Sequence, residues 1–312
     1  MPARWLFHWR KTFMLNAEYH EQEGGAVIPL PYLVVLLGVL SVSGASVLFK
    51  FATAEPLVVA FYRLGFSVVL LALPLLWRRE REQVRRDDFW LTAASGLILA
   101  AHFATWFFSL KLTSVASSTV LVSTHPFLVL LYGYLFHGER TRGWALLGTV
   151  LAVAGAILVG WGDVSLESGA LLGDFLAFLG AVTVSGYFLI GRHVRQRMSV
   201  VLYSVVAYGS ATLALLAAAL VWGSPLAGFA PVNWWIFGAL AVFPTIFGHT
   251  LFNWALKFVP ASVISVSILG EPIGASLLAW LIWRTAPGPL GLAGGLLILT
   301  GISLFQWKRP TT

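Results

Sequence analysis

Ten apolar stretches, each about one bilayer thickness of helix, run along the chain at 32–51, 57–77, 88–110, 114–136, 143–161, 169–191, 200–222, 232–256, 260–283 and 287–307. A hydrocarbon core takes roughly 20 apolar residues per helix. Polar positions gather between the stretches, with the turn formers Glu55-Pro56, Gly138 to Arg142, Gly162-Asp163, Gly223 to Pro225 and Pro287-Gly288-Pro289. No stretch sustains period-two alternation, which argues against a β-barrel. The pattern predicts an all-α integral membrane protein of ten transmembrane helices.

Composition explains why lipid must be the solvent. Apolar residues make up 58% of the 312 and charged residues 11%, where a soluble domain carries about a quarter charged. Too little polar surface remains to cover a soluble fold of this size. The chain has no cysteine, so disulfides, thiolate metal sites and cysteine nucleophiles are excluded. No His-Glu-x-x-His, Gly-x-Ser-x-Gly or P-loop spacing occurs. An intramembrane enzyme is thereby disfavoured, ATP drive is not expected, and neither is any cofactor.

The net charge of +7 matters through its placement. With both termini in the cytoplasm, 16 of the 20 Lys and Arg residues fall inside, including the run Arg78 to Arg86 and Arg192, Arg195 and Arg197. Lys50, Lys111 and Arg284 fall outside and Arg63 lies within a helix. This bias predicts an even number of spans in an inner membrane. Residues 1–31 form a cytoplasmic tail whose Arg4 to Lys11 segment is basic and aromatic. It reads as an interfacial helix or as a disordered tail. Residues 308–312 are the cytoplasmic C-terminus.

The chain also repeats itself. Shifted by 146 residues, 110–158 falls on 256–304 without a gap: Leu110-Lys111 on Leu256-Lys257, Pro126 on Pro272, Gly148 on Gly294, Gly155 on Gly301. Ser43-Gly44 through Lys50 matches Ser185-Gly186 through Arg192 more weakly, at a shift of 142. An odd number of spans per copy sends the second copy through the membrane upside down. Two inverted halves of five helices are expected, with a solute site near the midplane where they meet. Gly148, Ala152, Ala156 and Gly160, and separately Gly291 and Gly295, are spaced for close helix packing.

These residues resemble a known family. Ala116 to Gly160, with Pro126, Gly138-Glu139-Arg140 and a Gly-rich helix after it, is similar to the second half of an EamA repeat. Ala261 to Gly301, with Leu269-Gly270-Glu271-Pro272, is similar to it again, and Arg63 fits the pattern. The resemblance is to the EamA branch of the drug/metabolite transporter superfamily. It sets the halves at 32–161 and 169–307 and implies a central cavity that exports or exchanges small metabolites, amino acids or toxic organic compounds. Arg284-Thr285 departs from it where Gly138-Glu139 would recur, which weakens a catalytic role for Glu139. In the related sugar-phosphate branch, lysines near such helix ends contact phosphate. An anion exchanger of sugar-phosphate or nucleotide-sugar type is therefore the alternative, with Lys111 and Lys257 as candidates.

Ionisable groups within a bilayer are costly and are functional candidates. Glu271 and His125 occupy equivalent positions, each before a helix-loosening proline. Glu271 reads either as a proton- or cation-binding carboxylate or as a structural one. His102 with Trp106, His249 with Asn253, and Ser267 with Glu271 are pairs spaced i, i+4; Ser114, Ser118 and His125 form a further stripe. Together with Arg63, which suits an anionic group or a structural pair, they are expected to line one cavity. The expected partners are the bilayer, a small solute and protons as candidate coupling ions. Neither nucleic acid nor an oligomer is required. A channel or scaffold is disfavoured by the repeat.

Overall fold

A computed structural model describes residues 29–77, 83–113, 115–137, 141–160, 170–284 and 288–307. Most of the N-terminal tail, part of the Arg78 to Arg86 run, Ser114, the Gly138-Glu139-Arg140 motif, Gly162-Asp163 and the C-terminal Lys308 and Arg309 lie outside the described residues. Every described element is helical. The elements are α1 (Leu30–Val42), α2 (Ala45–Lys50), α3 (Pro56–Trp77), α4 (Arg86–Leu112), α5 (Val115–Val122), α6 (His125–His137), α7 (Gly143–Gly160), α8 (Ala170–Val194) and α9 (Val200–Trp222). There follow α10 (Pro231–Leu240), a π segment (Ala241–Thr250), α11 (Leu251–Ala255), α12 (Ala261–Ile268), α13 (Glu271–Trp283) and α14 (Pro289–Gln306). Among the described residues, eight helical runs are long and apolar enough to cross a membrane. Two shorter apolar helices, Val120–Phe136 and Gly143–Val159, accompany them. Leu36, Leu40, Leu171, Leu213 and Val221 point outward, as an apolar solvent demands.

Four of the apolar stretches are interrupted where the sequence pattern predicts continuous helix. α1 gives way to α2 at Ser43-Gly44, α5 to α6 at Ser123-Thr124, and α12 to α13 at Leu269-Gly270. Lipid offers no hydrogen bonds, so a broken backbone must be satisfied by the protein. Ser43 Oγ donates to Val39 O at 2.8 Å, Thr124 Oγ1 to Leu121 O at 2.7 Å, and Gly270 N to Ser267 O at 2.9 Å. The fourth interruption is the ten-residue π segment. Its threonine side chains also reach five residues back: Thr245 Oγ1 donates to Leu240 O at 2.9 Å and Thr250 Oγ1 to Thr245 O at 3.1 Å. Pro244 lies inside it. The wider turn relieves the clash of a proline ring with the carbonyl four residues back.

α7 and α14 pack backbone to backbone. A Cβ on Gly155 would sit 2.5 Å from Gly294 O, and one on Gly148 2.6 Å from Gly301 O. Numbers rise along one helix as they fall along the other, so the two run antiparallel. The seam uses the glycines that recur at 146 residues. Gly295 lies off this seam: the nearest atom to a Cβ on it is Ile273 Cγ1 at 3.9 Å. The i, i+4 spacing marks one face of a helix without saying whether a partner lies against it. α4 against α8 is antiparallel too, with Gly173 beside Thr113 and Gly186 beside Ile98.

Candidate functional site

A cavity of about 710 Å³ lies among α1–α2, α3, α4, α5–α6, α7, α8, the π segment and α12–α13. Both proline-bearing breaks reach it: α6 begins at His125 and α13 at Glu271, and each residue lines the wall. Of the residues singled out in the sequence, Arg63, His102, Trp106, His125, His249 and Glu271 line this space. Ser118, Asn253 and Ser267 do not.

The side chains of Ser118 and Asn253 are occupied elsewhere. Ser118 is fully buried against Ser109, with their hydroxyls in a very short hydrogen bond. The Ser267 carbonyl accepts the Gly270 N–H at the α12–α13 break. Asn253 sits at the centre of a dry polar network: Tyr187 Oη donates to its Oδ1 at 2.9 Å, and its Nδ2 donates to Tyr208 Oη at 3.1 Å and Ser204 Oγ at 3.4 Å. Tyr208 Oη in turn pairs with Thr250 Oγ1 at 3.1 Å. The i, i+4 spacing to His249 fails to put both on one wall because the residues straddle the end of the π segment. The wider turn rotates what precedes it relative to α11.

The cavity wall is left incomplete in its hydrogen bonding. Arg63 is 2% exposed; its Nε donates to Thr245 Oγ1 at 2.8 Å, and its Cζ lies 4.7 Å from the Phe103 ring centroid. His249 meets the same ring edge-on at 5.9 Å, and His102 stacks parallel to Trp106 at 6.1 Å. His102 Nδ1 pairs with Gly180 O at 2.9 Å and His125 Nδ1 with Val122 O at 3.0 Å. Arg63 Nη2, Trp106 Nε1 and His249 Nδ1 are buried with no protein partner. Unpaired buried polar atoms cost about 1–3 kcal/mol each. They concentrate on this wall rather than in the Asn253 network.

One end of this space reaches Lys50, Ala52 and Leu110. Toward the opposite ends of α4 and α8 the helices are tied together. Arg192 Nη1 donates to Leu256 O at 2.6 Å, Arg195 Nε to Asn253 O at 2.8 Å, and Gln196 Nε2 to Leu256 O at 3.3 Å. Nearby, Arg197 grips Asp88 with two bonds of 2.9 and 2.6 Å. The Asp88 carboxylate holds the Arg197 guanidinium above its ordinary pKa, chiefly by this hydrogen bonding.

Comparison with known proteins settles the class. A model of the EamA-like transporter family matches residues 29–161 and again 171–307. The chain belongs to the EamA-like transporter family. The pseudopaline exporter CntI of Pseudomonas aeruginosa, in strains UCBPP-PA14 and PAO1, is 27% identical over 287 residues, covering 88% of this chain and 96% of that protein. The uncharacterized transporter YdfC of Bacillus subtilis strain 168 is 24% identical over 263 residues, covering 78% and 80%. One crystal structure superposes with a TM-score of 0.76 at 18% identity, covering 88% of this chain and 97% of its own, which is a likeness of fold. This EamA-like protein is thus an integral membrane transporter of small molecules.

Sequence reasoning missed Phe103 and Lys50 on the cavity wall and Thr245 behind it. Thr245 and Phe103, which fix Arg63, look like ordinary packing residues when read along a helix. Lys50 reads as a snorkelling helix-end lysine, yet it lines the cavity. Its place at the end of α2, beyond the Ser43-Gly44 break, was the available signal. Lys111 and Lys257, its counterparts in the anion-exchanger alternative, are exposed and off the wall.

Proposed function

We propose that this EamA-like protein is a secondary carrier that exports or exchanges a small amino-acid-like solute across a bacterial inner membrane. Ten spans form two inverted halves, 32–161 and 169–307, with residues 1–31 and 308–312 in the cytoplasm. The solute occupies the cavity lined by Arg63, His102, Trp106, His125, His249 and Glu271, and Glu271 is the candidate proton-coupling group. Alternating access exposes the cavity to each side in turn. The observation that carries this reading is the antiparallel seam of α7 on α14. Helices equivalent by the 146-residue repeat pack glycine to glycine, 148 on 301 and 155 on 294. Exchanging the two copies maps one contact onto the other, as a two-fold axis across the helices requires. Taken with the charge bias, the Lys50 end of the cavity is external and the Arg192–Leu256 tie closes the cytoplasmic side.

The carrier is tested in proteoliposomes. Saturable flux with counter-exchange is expected, and non-saturating flux without exchange overturns the reading. Because the chain lacks cysteine, a single cysteine at Ser46 or Ser276, both on the cavity wall, reports access directly. Labelling from both sides of the membrane, slowed by bound solute, is the expected result.

A further inference from the structure

We propose that Arg63 is the anchor for a carboxylate on the transported solute, and that the π segment exists to aim it. The inference rests on the cavity being the carrier's solute site. The guanidinium is held at two points, through Nε on Thr245 Oγ1 at 2.8 Å and across the Phe103 ring at 4.7 Å. Thr245 uses its own hydroxyl proton on Leu240 O, five residues back. That bond leaves the oxygen's lone pair to receive Arg63, and the five-residue reach is a property of the π turn. An arginine fixed this way cannot swing to find a partner, and among the described residues no carboxylate lies within ion-pair distance of it. Its Nη2 is buried and unbonded.

The sign of the missing partner follows from the donors around it. Arg63 Nη2 and Trp106 Nε1 can only donate, and both lack an acceptor. His249 Nδ1, on a residue of the same wall, is open as well. The group that belongs there is anionic and rich in acceptors. A monoanionic carboxylate fits better than a dianionic phosphate because Glu271 shares the wall and opposes each added negative charge.

The test uses matched solute pairs that differ only in the acid: N-acetyl-L-leucine against N-acetyl-L-leucinamide, L-leucine against L-leucinamide, and six further acid–amide pairs of graded side-chain size. Binding to the purified full chain is read by thermal shift, and transport by counterflow in proteoliposomes. At least one acid is expected to bind about tenfold more tightly than its amide, the scale of one charge-assisted hydrogen bond. Arg63→Gln should abolish that acid-to-amide ratio. Thr245→Val keeps the charge and the side-chain size, and should reduce the ratio about threefold or more even where Arg63→Gln fails to fold. The readout is the ratio, which a purely structural arginine would not move. Equal binding of acids and amides, no binding of any acid, or a ratio untouched by Thr245→Val overturns the proposal. Acid-selective binding with no counterflow of any solute would instead leave the subsite standing and remove the carrier.

Discussion

Two polar clusters lie four residues apart on the rod formed by α10, the π segment and α11, and they have opposite characters. Around Asn253 every side-chain polar group finds a partner on α8 or α9, and the cluster is sealed from the cavity. Around His249 the wall of Arg63, Trp106 and His249 keeps three buried nitrogens open. The difference teaches how to read buried polarity in a membrane protein. Complete satisfaction marks an interhelical tie, and a shared deficit facing one space marks a place for a ligand.

The strongest way to break this comparison is to remove a tie. Asn253→Leu leaves Tyr187, Tyr208 and Ser204 without their shared partner and should cost about 3 kcal/mol, read as a fall on the order of 5–10 °C in the detergent melting temperature. A melting temperature equal to that of the wild type would show the network to be ornamental. The glycine seam calibrates the scale with no polar group involved. Gly155→Val forces a side chain against Gly294 O and should cost about 1–3 kcal/mol, while Gly295→Val, with only Ile273 at 3.9 Å, should stay within about 0.5 kcal/mol. Similar losses at both positions would contradict the seam.

The cavity wall should answer in a different measurement. His249→Leu is expected to lower counterflow about tenfold, equivalent to roughly 1.4 kcal/mol, while melting stays at or above wild type because an unpaired nitrogen has been removed. Melting like Asn253→Leu would make His249 structural and collapse the distinction between the clusters. The subtlest effect is expected at Glu271. Glu271→Gln should flatten the pH dependence of transport while leaving saturable exchange in place, and an unchanged pH profile would take this residue out of coupling.

Much of the scaffold was legible in the chain. Apolar runs of bilayer length predict the helices because lipid leaves the backbone no alternative. The 146-residue repeat located both proline breaks and the glycines of the α7–α14 seam. The site was legible only in part. Arg63, His125 and Glu271 stand out because a charge or imidazole within an apolar run needs a reason. Asn253 and Ser118 show the same polarity and tie helices together instead. Helical spacing assigned His249 and Asn253 to one face, and the π turn between them altered the angle on which that inference depends.

By itself the sequence determined the solvent, the helical class and the duplication, since each follows from local composition and short-range sterics. Only the tertiary structure decided which polar side chains are satisfied, because hydrogen bonding across helices depends on neighbours more than a hundred residues away. Thr245 reaching Arg63 and Gly148 meeting Gly301 are contacts of that kind. Satisfaction is a property of pairs, and the linear chain records only their members.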